Sequence, residues 1–460
     1  MKKGHPYLII IISFLSVILL GALGLSLPQA SKSGHSMGFV NALFMSTSSV
    51  CVTGLSVMPN SVAVDLTHFG KLVMLILMEI GGLSIITIAV FFFTILGAKL
   101  GIGNKFLLRE QLNQSSAKGL IRMVRNIVIM SAVIQLIGTL INWYPMYLYL
   151  ENTGRGDGPF KAFIFSVFHS AASFNNAGFD IFGNEGMLVF SSTSSVLPKV
   201  WIYVLNISTM LMIMLGGIGF IIVNDMWNKR FRWSKFRLHT KITLIVSALL
   251  FIGGGIALKL TSNMHWLEAF FTSTTCRTAG FQIYDMANLS KYPVAYIICT
   301  LLMFIGASPC SCGGGIKTTT LAIILITVHH FATGKSNKAF KRRISTDQVT
   351  KAYVLFNCGL AVVLIGTVLC SLSQPHVGLG KMLFEVVSAF STTGLSMGIT
   401  SSLTVFNKLV LVVMMFFGRI GPLTIIGLLN KNWNNDKPEM VDYIEEGVII
   451  GWKSTLSLLD

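Results

Sequence analysis

Phe44-Met-Ser-Thr-Ser-Ser-Val-Cys-Val-Thr-Gly54-Leu, Phe168-His-Ser-Ala-Ala-Ser-Phe-Asn-Asn-Ala-Gly178-Phe, Phe270-Phe-Thr-Ser-Thr-Thr-Cys-Arg-Thr-Ala-Gly280-Phe and Phe384-Glu-Val-Val-Ser-Ala-Phe-Ser-Thr-Thr-Gly394-Leu are four versions of one segment. Each has Phe ten residues before a Gly, Thr or Ala just before that Gly, and Leu or Phe just after it. The glycines stand 124, 102 and 114 residues apart. A unit recurring at near-constant spacing states an architecture, and it is read before any local motif.

Around these segments the chain is apolar. Of 460 residues, 53% are hydrophobic and 12% charged, with a mean hydropathy of +0.71. Soluble domains carry about 25% charged residues, so this composition indicates an integral membrane protein, all-α by the long apolar runs it contains. Spanning the hydrocarbon takes about 20 apolar residues in a helix. Eight runs qualify, near 7–27, 69–96, 126–150, 197–226, 239–260, 292–331, 350–372 and 406–429. The first follows Met1-Lys-Lys-Gly-His. It exceeds the ~7–15 residues of a signal-peptide core and reads as a transmembrane helix. One Phe…Gly segment lies between the members of each pair, and its helical part is too short to span, so it reads as re-entrant. The expected organisation is four tandem repeats of helix, re-entrant loop and helix over 1–97, 98–227, 228–335 and 336–430, with a cytoplasmic tail over 431–460.

The net charge of +17 sits in short stretches between apolar runs rather than on one soluble face, so it points to topology and not to nucleic acid. The first inter-repeat loop holds Lys99, Lys105, Arg109, Lys118, Arg122 and Arg125 against Glu110. The second holds Lys229, Arg230, Arg232, Lys235, Arg237 and Lys241; the third holds Lys335, Lys338, Lys341, Arg342, Arg343 and Lys351 against Asp347. The positive-inside rule places these loops and both termini in the cytoplasm, with the re-entrant segments entering from outside. The seven cysteines and nine histidines form no metal-ligand spacing, and His169 reads as a packing or hydrogen-bonding residue.

Dehydrating a monovalent cation inside a membrane takes oxygen ligands that replace its water shell, and backbone carbonyls serve. Glycine lets the backbone approach closely at unusual φ. A short helix ending at the loop aims its partial negative charge at the ion. Non-helical backbone at this depth is tolerated only where protein covers it or it lines a cavity. These needs meet at Cys51, Val52, Thr53 and Gly54; at Asn175, Asn176, Ala177 and Gly178; at Arg277, Thr278, Ala279 and Gly280; and at Ser391, Thr392, Thr393 and Gly394. The unit resembles a potassium-channel pore loop, here supplied four times by one chain, which implies a pseudo-fourfold arrangement around one pore.

The second helix of the third repeat is broken by Gly306, Ala307, Ser308, Pro309, Cys310, Ser311, Cys312, Gly313, Gly314 and Gly315. Such a break must line a cavity or be buried in protein. Gly-Gly-Gly-Ile-Lys is not a phosphate loop, because Ile316 separates Gly315 from Lys317. A secondary transporter with alternating access, sodium-coupled, is the competing class; it would show two related halves where this chain shows four quarters. A membrane enzyme would need a nucleophile–base or metal constellation, and the sequence offers none.

The four Gly-ended loops, the stretch Gly306–Thr320, and Phe417-Gly-Arg-Ile-Gly-Pro-Leu-Thr424 resemble the Ktr/Trk/HKT superfamily of potassium transporters, over nearly the whole chain. Beginning directly at the first repeat, the chain resembles a membrane subunit of the Ktr branch. The resemblance implies selectivity glycines at Gly54, Gly178, Gly280 and Gly394, with Gly54 on the potassium side. It implies an intramembrane gate at 306–315, K+ as transported ion, Na+ as a possible activator, and no cofactor in this chain. It further implies a homodimer in a bacterial plasma membrane, seated on a cytoplasmic ring of RCK subunits that bind the nucleotide. Cys276 stands where the family pattern leads one to expect Pro.

Arg419, Glu79 and Lys317 are the charges expected to set the electrostatics of the pore. Glu79 and Arg419 each stand 25 residues beyond a filter glycine, with Glu-Ile-Gly beside Arg-Ile-Gly. That register makes them one position in repeats one and four. A charge near the bilayer centre costs roughly 2.5–3.5 kcal/mol and seeks a partner. Either the two side chains pair, or Arg419 binds carbonyls of the 306–315 loop and Glu79 is protonated or packs elsewhere.

Overall fold

Long apolar runs become long helices here because a helix satisfies its own backbone where water is absent. The computed structural model describes residues 6–84, 87–88, 120–156, 158–334 and 337–421. The basic positions Lys99, Lys105, Arg109 and Lys118 and the tail 431–460 lie outside the described residues, as do parts of the expected spans 69–96 and 406–429. Among the described residues the helices are α1 Pro6–Ser26, α2 Phe39–Val50, α3 Val62–Asp65, α4 His68–Leu83, α5 Leu120–Asn152, α6 Gly158–Phe174, α7 Lys199–Ile218, α8 Phe220–Asn228, α9 Leu238–Thr261, α10 Trp266–Thr275, α11 Pro293–Phe304, α12 Thr318–Ala332, α13 Thr346–Ser373, α14 Leu379–Phe390 and α15 Val405–Ile420. Five of them, α1, α5, α7, α9 and α13, are long and apolar enough to cross a membrane. A two-stranded hairpin pairs Lys338 with Arg343.

Helix starts follow local chemistry. Thr67, Ser345 and Thr404 accept the amide protons of Gly70, Gln348 and Asn407, capping α4, α13 and α15. Pro293 opens α11 where its missing N–H costs nothing.

The short helices α2, α6, α10 and α14 carry the four Phe…Gly segments and are buried over their last turns. Each packs between the two helices that flank it: α2 on α1 and α4, α6 on α5 and α7, α10 on α9 and α11, α14 on α13 and α15. Each also packs on a helix from elsewhere in the chain: α6 on α4, α10 on α7, α14 on α11 and α2 on α15. Gly21 and Gly254, on α1 and α9, make room for this, since a Cβ at either would meet the hydroxyl of Ser46 or Ser273 at 2.5 Å. Those hydroxyls donate instead to carbonyls of the longer helices, Ser46 to Ile18 at 2.6 Å and Ser273 to Phe251 at 2.9 Å.

The run 197–226, expected as one span, is two helices. It breaks at Gly219, whose φ is 102°. The run 292–331 breaks where expected, between α11 and α12.

Candidate functional site

The chain leaves α2, α6 and α14 four residues before Gly54, Gly178 and Gly394, and α10 five residues before Gly280. It then makes the same excursion each time. The residue two before each glycine has positive φ: Val52 57°, Asn176 59°, Thr278 72° and Thr392 52°. The glycines follow at 98°, 67°, 79° and 90°. Left-handed backbone at β-branched Val52, Thr278 and Thr392 is strained, costing on the order of 1–3 kcal/mol each, and persists only where the surroundings enforce it. The enforcement is visible. Thr53, Ala177 and Thr393 donate backbone N–H groups to Ser48, Ala172 and Ser388 carbonyls at 2.8, 2.7 and 2.8 Å, and Ala279 donates to Thr275 at 2.9 Å. The Ser48 and Ser388 hydroxyls accept the amide protons of Gly54 and Gly394.

The four loops meet one another. A Cβ on Gly54 would sit 2.7 Å from the Ala177 carbonyl oxygen; on Gly178, 2.7 Å from that of Ala279; on Gly280, 2.6 Å from that of Thr393. On Gly394 it would run into the Thr53 carbonyl, so the series returns to its start. A cavity of about 310 Å³ adjoins all four glycines on one side, with Asp180 and Glu185 in its wall.

On the opposite side lies the 306–315 loop. Gly313 and Gly314 press against the Thr278 and Thr392 hydroxyls and have no space for a Cβ, and Gly315, at φ 67°, packs closely on Ser391. The Gly314 amide donates to Thr392 Oγ1 at 3.0 Å. From the side, α7 and α8 grip the loop: Ser308 and Cys312 donate to Gly217 and Gly216 carbonyls at 3.1 Å each, and Phe220 donates to the Cys310 carbonyl at 2.9 Å. Pro309 touches Gly219, where a Cβ would lie 2.5 Å from the proline oxygen. Ser311 Oγ donates to the Ser308 carbonyl at 2.7 Å, and Ala307 is fully buried. Lys317 Nζ closes its own loop by donating to Gly313 and Gly314 carbonyls at 2.7 and 3.2 Å.

The TrkH family, described as cation transport proteins, matches residues 2–241 and 232–439. The chain belongs to this family. TrkH-family relatives include the potassium/sodium uptake protein NtpJ of Enterococcus hirae, 34% identical over 98% of both chains. The Ktr system potassium uptake protein B of Vibrio alginolyticus is 33% identical over 98% of this chain and 96% of its own, and protein D of Bacillus subtilis is 34% identical over 97% of each. The crystal structure of the potassium transporter TrkH from Vibrio parahaemolyticus superposes with a TM-score of 0.69 over 94% of this chain and 86% of that one. At 16% identity that likeness speaks to the helical membrane fold alone.

In this TrkH-family chain, the register that equated Glu79 with Arg419 is corrected by packing. A Cβ on Gly81 would strike the Val50 carbonyl, on Gly216 that of Phe174, and on Gly418 that of Phe390. These carbonyls belong to the last residues of α2, α6 and α14, so Gly81, Gly216 and Gly418 are the equivalent positions. Arg419 therefore matches Gly82 and Gly217, while Glu79 matches Phe416. The direct pair is also absent. Glu79 accepts from Asn175 Nδ2 at 3.0 Å and Gln135 Nε2 at 3.3 Å. Arg419 donates to the Cys312 carbonyl of the loop and to the carbonyls of Gly81 and Gly82. The alternative placement of Arg419, on loop carbonyls, is the one found.

Cys51 is fully buried at the end of α2, and Ser391 Oγ bonds Thr393 Oγ1 at 2.7 Å. Arg277 turns away from its loop and donates to Ser247 on α9. His169 bonds Thr209 Oγ1 at 2.8 Å and packs against Phe182 and Phe281 rings, a packing role as expected. Sequence reasoning missed the helix ends at Ser84, Gly219 and Gly421, all at positive φ, that close α4, α7 and α15.

Proposed function

We propose that this chain is the pore-forming membrane subunit of a potassium uptake system. The observation that carries the proposal is the closed series of contacts from Gly54 to Ala177, Gly178 to Ala279, Gly280 to Thr393 and Gly394 to Thr53. Four units arranged pseudo-fourfold around one axis would make this series, and their carbonyls would form rings able to replace an ion's water shell. In this reading residues 51–54, 175–178, 277–280 and 391–394 are the selectivity filter. The units are 1–97, 98–227, 228–335 and 336–430. The relatives' names, two of potassium uptake proteins and one of a potassium/sodium uptake protein, support potassium as the cargo.

The 306–315 loop lies across the inner face of the filter residues and acts as the gate, with Arg419 its cationic latch and Lys317 its internal clip. The chain works as a homodimer in a bacterial plasma membrane, termini inside. A cytoplasmic RCK ring supplies nucleotide control, and Na+ promotes uptake; no cofactor sits in this chain. The test is growth rescue of a potassium-uptake-deficient bacterium at low external potassium, with rubidium and sodium fluxes measured alongside. Rescue with rubidium flux exceeding sodium flux supports the proposal. Absence of rescue by well-expressed chain with its cognate cytoplasmic subunit would overturn it.

A further inference from the structure

Arg277 is the one filter-segment residue whose charge has no role in the account above. Its Nη1 and Nη2 donate to the carbonyl and hydroxyl of Ser247 at 3.2 Å each, and its buried Nε finds no acceptor. Among the described residues it makes no ion pair. Ser247 lies about nine residues, or ~14 Å, into α9, which puts the guanidinium near the middle of the bilayer. An ionised group at that depth marks a functional site by default, and the question is what anion completes it.

The surroundings answer it. A cavity of about 240 Å³ adjoins Arg277 between α7, α9 and the end of α10. Apart from Arg277, Ser247 and Thr274 its walls are apolar, with Ile213, Met214, Leu244 and Phe251 among them. Ala248 stands exposed at its edge. The same stretches of α7 and α9 expose Leu211, Leu215, Ile245 and Leu249, so the mouth opens onto the hydrocarbon. An apolar slot with one cationic end, entered from the bilayer, fits an amphiphile with an anionic head. A phospholipid would have to bring its bulky headgroup to mid-bilayer; a carboxylate on a single chain brings only two oxygens.

We propose that this cavity binds a long-chain fatty-acid anion, its carboxylate on Arg277 and its chain along Leu244 and Phe251. The site touches Gly217, whose carbonyl receives the Ser308 amide of the 306–315 loop. Occupancy therefore bears on the gate, a consequence that rests on the transport reading, whereas binding itself does not.

The test is photolabelling of the full chain in phosphatidylethanolamine vesicles with a fatty acid carrying a mid-chain diazirine. Label is expected on residues 213–218 and 244–251. Oleate should compete roughly tenfold or more better than oleyl alcohol, the margin a charge-assisted contact supplies. Arg277→Gln should erase that preference, and Ala248→Trp, which fills the mouth without touching the filter segment, should abolish labelling. Oleyl alcohol competing as well as oleate, or labelling unchanged in Ala248→Trp, would overturn the proposal. Equal competition by phosphatidylglycerol would overturn the single-chain assignment. Rubidium uptake that oleate alters in wild type but not in Ala248→Trp supports the link to the gate, and uptake indifferent to oleate in wild type refutes that link while leaving the labelling result to stand.

Discussion

Replacing Arg419 with Gln should open the path beneath the filter. The guanidinium ties the 306–315 loop, through Cys312, to the end of α4, through Gly81 and Gly82. A hydrogen bond from a charged donor contributes about 1.5–3 kcal/mol net, so one bond to each of the two elements holds the loop by ~3–6 kcal/mol. Glutamine reaches one carbonyl at most and restores about 1 kcal/mol, leaving a loss of ~2–5 kcal/mol. At 1.4 kcal/mol per decade the closed loop loses a factor of ~30 or more in its equilibrium. On the proposed reading the substitution also removes a positive charge from the cation's path. Initial rubidium uptake into proteoliposomes, measured without any cytoplasmic subunit, should therefore rise about tenfold or more before other steps limit it. Arg419→Lys keeps the charge but lacks the fork that reaches two carbonyls, so its uptake should fall between wild type and Arg419→Gln. A folded Arg419→Gln protein with unchanged or reduced uptake would refute the latch.

Gly219→Ala should act on the same loop from the other side: at φ 102° with Pro309 oxygen 2.5 Å from the new Cβ, it displaces the loop and raises uptake, while Gly253→Ala, with open space around it, should do nothing. Equal uptake in the two variants would argue against α8 as an anchor. Glu79 and Arg419 form no direct pair and meet only through Asn175 and Cys312, so a double-mutant cycle with Glu79→Gln and Arg419→Gln should show coupling of no more than about 1 kcal/mol in rubidium uptake. Glu79 and Asn175, 3.0 Å apart, should couple by more than that.

Much of this architecture could be read from the chain. Phe at a fixed offset from Gly, four times between apolar pairs, announces four short helices each followed by a positive-φ turn, and the Gly, Ser and Pro cluster at 306–315 announces the broken helix. The helix ends at Ser84 and Gly219 were hidden because a helix tolerates Gly-Gly inside an apolar run at a cost of only ~1 kcal/mol per glycine, whereas Gly421-Pro422 is itself a stop signal. Nothing local says that Gly216 faces the Phe174 carbonyl. The Glu79–Arg419 register failed for a related reason. Glu-Ile-Gly beside Arg-Ile-Gly is a convincing match by letters, but the position is fixed by where a Cβ cannot fit, which aligns Gly81 with Gly418. The outward turn of Arg277 was equally invisible, since Ser247 lies thirty residues upstream.

The central claim is that four loops of one chain form a single filter. Competitive rubidium and sodium flux through Gly54→Ser, Gly178→Ser, Gly280→Ser and Gly394→Ser in proteoliposomes tests it most directly. At each position a side chain would meet a carbonyl of another loop, at backbone angles it rarely adopts, so carbonyl geometry must shift. Every one of the four substitutions should lower the rubidium-over-sodium preference; wild-type selectivity in all four would show that these loops do not share one filter.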